Sequence, residues 1–135
     1  MLLDAYALIS FLVGGPATDQ VRGFLWGGGT ALATANLAEV LDVARRVHGL
    51  PIDRAWEVLE PLFDGTLAPV PLDVGVARRA AEVRARHYHR SARPISLADA
   101  VLVASAQPGD RIATADPDVL AVATAEGIGT VALPG

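Results

Sequence analysis

The sequence predicts an α/β protein with a central parallel sheet of four to five strands, flanked by helices on both faces. Three observations carry that expectation. Short apolar runs of strand length alternate with longer stretches of helical periodicity from end to end. Glycine, proline and aspartate mark most of the junctions. The chain has 135 residues, 52% hydrophobic and 19% charged, which is enough to bury a full core. No repeat, low-complexity tract or linker divides it, so residues 1–135 are expected to form one domain.

Met1 to Leu3 reads as a first strand, ended by Asp4. Ala5 to Val13 then reads as a helix, stopped by Gly14, Gly15 and Pro16. Thr18 is a capping residue for a second helix, with Val21, Phe24 and Leu25 on one face. Gly27 to Gly29 end it, and Thr30 to Thr34 reads as the second strand. Asn36 opens a longer helix with Leu37, Val40, Leu41, Ala44 and Val47 at helical spacing. Gly49 and Pro51 break it. Ile52 to Phe63 is the next helix, and Asp64-Gly65 turns into a strand at Leu67 to Val70. Asp73 starts a helix that extends toward Arg90. After Pro94 the segment Leu97 to Ala106 is apolar nearly all round, as a helix sunk in a core would be. Arg111 to Ala115 is a strand, Pro117 to Glu126 a helix, and Ile128 to Leu133 the last strand.

Composition removes several chemistries. There is no cysteine, which excludes disulfides, thiolate zinc sites and cysteine nucleophiles, and fits a reducing compartment. All 11 basic residues are arginine, so neither a P-loop lysine nor a Schiff-base lysine is available. The apolar run Ala5 to Val13 is too short to span a bilayer and lacks a basic leader. A cytoplasmic protein with no membrane contact is expected. The net charge of −4 leaves nucleic acid open as a partner, because a local arginine face or a bound cation reverses the field.

Four acids stand at strand ends or helix starts: Asp4, Glu39, Asp99 and Asp116. Each has a structural explanation. Asp4 and Asp116 are favoured N-cap residues, the latter with Pro117 at the first helical position. Asn36 to Glu39 and Ser96 to Asp99 have capping-box spacing. The set is harder to explain so. In a parallel sheet the carboxyl ends of the strands share one edge, where ligands bind, so acids at several of them converge. Clustered carboxylates repel, and a hard divalent cation relieves the repulsion. Without cysteine or a plausible histidine pair, that cation would be Mg²⁺ or Mn²⁺ rather than zinc. Asp42 has Arg46 four residues on, an ordinary surface pair. Glu39 and Asp99 have no such partner.

The segments LLDAYALISFL from Leu2, NLAEVL from Asn36, ISLADAVLVASA from Ile95 and IATADPDVLAVATAEGI from Ile112 together resemble a PIN-domain ribonuclease. The likeness is to the VapC-type toxins of type II toxin–antitoxin systems in particular. It covers nearly the whole chain, with the motifs in the family's order and spacing. It implies a PIN-like fold and metal-assisted hydrolysis of RNA phosphodiesters with Mg²⁺ or Mn²⁺. It also implies a cognate VapB-type antitoxin and a homodimer. By position, Asp4, Glu39, Asp99 and Asp116 match the acidic metal-binding set, and Thr114 matches the hydroxyl residue two before the last acid. Asp118 either assists Asp116 or serves the helix dipole. Family members commonly carry a small hydroxyl residue two positions after the first aspartate. Here that position holds Tyr6, whose hydroxyl would reach a metal-bound water differently.

Six of the 11 arginines lie between Arg78 and Arg93. Arg78, Glu82 and Arg86 share a helical face, so part of this is an ordinary charge ladder; Arg86, Arg90 and Arg93, with no further acidic partner nearby, are candidates for RNA backbone contact. His87 and His89, two apart, make a poor metal pair and read as surface polar residues. Tyr88 between them is a candidate base-stacking residue. Trp26, Phe24, Trp56 and Phe63 are expected to pack in the core, and the resemblance implies that some of this apolar surface serves the antitoxin or dimer contact. Two other readings stay open: a metal-dependent nuclease acting on DNA or a junction, and a catalytically weak PIN-like module that binds RNA or protein.

Overall fold

The structure is a computed structural model that describes residues 1–135. Five parallel strands form one sheet: β1 (Leu2–Leu3), β2 (Thr30–Ala33), β3 (Leu67–Val70), β4 (Arg111–Thr114) and β5 (Gly129–Ala132), in the order β3-β2-β1-β4-β5. Parallel neighbours require crossovers, and seven helices supply them. These are α1 (Ala5–Val13), α2 (Thr18–Gly27), α3 (Thr34–Arg46), α4 (Ile52–Leu59), α5 (Val74–His87), α6 (Leu97–Ala104) and α7 (Pro117–Ala125).

The sheet is buried on both sides. Leu2, Ala33 and Ile112 point into a core shared with α5, α6 and α7. Their neighbours Leu3, Leu32, Leu67 and Ala113 point the other way, into a core shared with α1 to α4. This two-residue alternation is what a pleated strand requires. It explains how β1 persists with only two residues. Leu2 and Leu3 are at most 1% exposed, each worth about 1.5–3 kcal/mol of apolar burial on its own face.

Several boundaries differ from the sequence expectation, each for a local reason. Thr18 is the first residue of α2 rather than its cap, because its hydroxyl donates to the Ser10 carbonyl, 2.8 Å away on α1. α3 starts at Thr34, two residues before Asn36. α4 ends at Leu59 and continues as a 3-10 turn over Glu60–Phe63, since Pro61 has no N–H to continue the ladder. α5 stops at His87, where Tyr88 turns extended (φ −65°, ψ 131°). Beyond it, His89 and Arg93 exchange two backbone hydrogen bonds across a tight turn. Trp26 is 74% exposed and does not join the core, whereas Phe24 packs against it from a half-buried position. Phe63 packs at the edge of the same core, whereas Trp56, 36% exposed, stays outside it and meets the Phe63 ring at 6.1 Å with a 34° tilt. No helix is long and apolar enough to cross a membrane.

The strand order places a topological switch between β1 and β4. From β1 the chain moves outward to β2 and β3, then crosses back to β4 and β5 on the other side. β1 and β4 run in step, Leu2 beside Ile112 and Leu3 beside Ala113, so their last residues open on the same point of the sheet edge. Connections that leave in opposite directions leave a crevice there.

Candidate active site

Asp4 and Asp116 follow the two strands at the switch, and both are helix N-caps. Asp4 Oδ1 accepts from the Ala7 N–H at 2.8 Å and Asp116 Oδ1 from the Asp118 N–H at 2.8 Å. Asp99 belongs to a complete capping box at the start of α6. The Ser96 hydroxyl takes the Asp99 N–H at 3.0 Å, and Asp99 Oδ2 takes the Ser96 N–H at 3.1 Å. Glu39 lies on the second turn of α3 and has no capping role. Its Oε1 accepts from Asn36 Nδ2 at 3.3 Å. Capping therefore accounts for one oxygen of three acids, and an amide for one oxygen of the fourth. The second oxygens of Glu39, Asp99 and Asp116 have no protein partner.

All four acids line one open cleft of about 320 Å³, together with Ala5, Tyr6 and Ala115. Asp4 is only 8% exposed. Burial raises its pKa from 3.8 to about 6, with smaller contributions from Asp99 and Glu39, while Thr114 and the Ala7 amide work against the rise. Glu39 is also raised, first by burial and then by Asp99 and Asp42, against the Asn36 amide. Asp99 is raised by burial and by Asp116 and Asp118, against both groups of Ser96. The protein thus gathers carboxylates into a partly desolvated crevice and supplies no cation to balance them. A fold under no other constraint would avoid this.

The supporting residues fall into place unevenly. Thr114 is fully buried at the end of β4 and accepts the Asp116 N–H at 3.0 Å, joining the two switch-point acids. Asp118 does not line the cleft, but its charge reaches Asp99 from the first turn of α7. Tyr6 lines the cleft, yet its hydroxyl is committed to the Pro134 carbonyl at 2.6 Å. In this arrangement it ties α1 to the segment after β5 instead of holding a water in the site. Asn36 is the residue the sequence reading placed wrongly. It is no cap; it is 1% exposed in the first turn of α3 and holds Glu39, with its own Oδ1 buried and unpaired. The Asn-x-x-Glu spacing within one helical face was the available signal.

Among the candidate RNA-contact arginines, Arg86 is spoken for. Its Nη2 and Nε reach Glu126 at 2.7 and 3.2 Å, an ion pair across 40 residues of sequence. His87 shares that carboxylate through Nε2 at 2.7 Å and is largely buried, not a free surface residue. Arg90 is exposed on the turn after α5, and Arg93 is half-buried with its Nε unpaired.

The donor chemistry of the cleft suits a hard cation, since all its ionisable lining groups except Tyr6 are carboxylates. No three acidic or histidine side chains stand close enough to enclose an ion by themselves.

A comparison with curated protein sequences gave no match. The solved structures that share the fold include two at a TM-score of 0.65. One, described as a toxin–antitoxin complex from Klebsiella pneumoniae, is 21% identical over 89% of each chain. The other, FitAcB from Neisseria gonorrhoeae, is 26% identical over 96% of this chain and 94% of its own. The PIN domain profile matches residues 1–125, taking in all four acids of the cleft, and the chain therefore belongs to the PIN domain family.

Proposed function

We propose that the chain is a metal-dependent endoribonuclease toxin of the VapC type, which hydrolyses RNA phosphodiester bonds and is neutralised by a cognate antitoxin. PIN domains are generally nucleases, and they typically use divalent metals. One observation carries the reading for this chain: four carboxylates from four separate elements line one cleft at the sheet's switch point, each with one oxygen anchored. The description of the Klebsiella pneumoniae structure as a toxin–antitoxin complex supports the toxin role and the antitoxin partner.

Asp4, Glu39, Asp99 and Asp116 would hold Mg²⁺ or Mn²⁺. When bound, the ion supplies a water of lowered pKa and positive charge for the scissile phosphate. The chain's own residues prepare that chemistry. Ser96 fixes Asp99 through two hydrogen bonds, one to its carboxylate and one from its backbone N–H. Asn36 does the same for Glu39 with one. Asp4, buried at the base, is held by the first turn of α1. Anchoring beforehand means little reorganisation is needed when the substrate arrives.

Purified protein with Mg²⁺ or Mn²⁺ is expected to cleave RNA, and Asp99→Asn to abolish cleavage while the fold persists. Equal inertness of wild type and variant with either metal would sink the enzyme reading. Preferential cleavage of DNA would replace the substrate.

A further inference from the structure

A second depression, of about 380 Å³, lies against the same helix turn that carries Asp99. It is lined by Ala81, Arg84, Ala85, Tyr88 and Leu97. Leu97 and Asp99 are two residues apart on α6, roughly 200° round the helix axis, so the first turn of α6 separates this depression from the acidic cleft. Two alanines of α5 form its floor, and two larger side chains stand out from it, Leu97 at 59% and Tyr88 at 43% exposure.

The Arg84 guanidinium lies 4.3 Å from the centre of the Tyr88 ring. Its Nε donates to the Ile95 carbonyl at 3.2 Å, which fixes the stacked pair to the strand of chain leading into α6. The turn beyond Tyr88 is also held. His89 Nδ1 accepts the N–H groups of Ser91 and Ala92 at 3.3 and 2.9 Å, beneath the His89–Arg93 backbone pair. On that turn Arg90 and Arg93 form no ion pair, and the Arg93 Nε is buried without a partner. Arg84, Arg90 and Arg93 thus place uncompensated positive charge beside an aromatic face, in a protein of net charge −4.

We propose that this depression is a subsite for one unpaired nucleobase of the RNA strand, across the first turn of α6 from the phosphate that enters the acidic cleft. The proposal rests on the ribonuclease reading above. A flat apolar floor, an aromatic ring and a guanidinium plane are the surfaces on which single-stranded bases stack. The arginines would take the flanking phosphates, which the carboxylates of the cleft repel. The base stacks against Tyr88 and Leu97, so the subsite selects unpaired RNA over duplex and acts through binding, not through the chemical step.

The test is steady-state cleavage of a single-stranded RNA with Mn²⁺ by wild type, Tyr88→Ala, Tyr88→Phe and Leu97→Glu. Tyr88→Ala is expected to raise KM roughly tenfold, as the loss of one stacked base does, with kcat nearly unchanged. Tyr88→Phe keeps the ring and is expected to restore KM. Leu97→Glu, at an exposed position that does not support the core, is expected to raise KM through charge repulsion at the mouth. A 2-aminopurine placed beside the cleavage site should lose fluorescence on mixing with wild type, and not with Tyr88→Ala. If wild type cleaves RNA and both Tyr88→Ala and Leu97→Glu match it in KM and quenching, the subsite is wrong while the ribonuclease reading stands. The same overturning result is expected if the depression instead receives an acidic segment of a protein partner. If wild type cleaves no RNA with either metal, the parent reading falls first.

Discussion

At Asp4 the fold and the function make opposite demands. Burial holds its pKa near 6, so between the ordinary value of 3.8 and about 6 the folded protein binds more protons than the unfolded chain. Stability therefore falls as pH rises through that window, and above it the ionised carboxylate is a fixed cost. Asn retains the capping geometry without the charge. Asp4→Asn is accordingly expected to stabilise the fold at pH 7 by about 1–3 kcal/mol, with the gain gone near pH 3 and cleavage abolished. Urea midpoints at the two pH values check it; a destabilised variant at pH 7 would contradict the origin of the shift. Tyr6→Phe makes the contrasting case. It removes only the hydroxyl bound to Pro134, so it should cost about 1 kcal/mol of stability and leave kcat unchanged. A large loss of kcat would return that hydroxyl to the site. The acids themselves were legible in the sequence because each breaks a local pattern. The burial of Asn36 was not, since a polar residue just after a strand reads equally well as a cap.

At the scale of elements, capping chemistry and the geometry of the acidic cleft are one device. The Ser96–Asp99 box starts α6 and also fixes the carboxylate that faces the cleft. Ser96→Ala should cost about 1 kcal/mol, the usual worth of an N-cap. It should also lower kcat, because Asp99 loses the hydroxyl that sets its backbone turn. Unchanged kcat in a destabilised variant would separate the two roles. The elements were largely readable for the same physical reason: glycine, proline and short polar side chains decide helix ends locally. Where ends were misplaced, a proline or a neighbouring turn had intervened. Ser10 drew Thr18 into α2, and α5 stopped where the His89–Arg93 turn begins.

For the whole molecule, the feature hidden from the sequence is the Glu126 clamp, which joins the end of α7 to the end of α5. Arg86 lies forty residues upstream, so no helical spacing could pair it with Glu126, and it passed for a free cation. Hydrogen bonds from Arg86 and His87 hold the Glu126 pKa below the usual carboxylate range. Here the folded pKa is depressed, so its stabilisation is present above the ordinary carboxylate value and is lost as pH falls through the lowered one. Glu126→Gln should cost about 1 kcal/mol at pH 7, less in high salt, and little once the pH is below the lowered value. Glu126 lines neither the acidic cleft nor the depression beside Tyr88, so kcat should be unchanged. Releasing Arg86 adds one unpaired cation near Arg90 and Arg93. If the RNA strand passes over that surface, KM should fall slightly and its salt dependence should steepen. Measuring KM for RNA at two salt concentrations decides this, and an unchanged salt slope would show that the strand leaves the molecule before it reaches the end of α5.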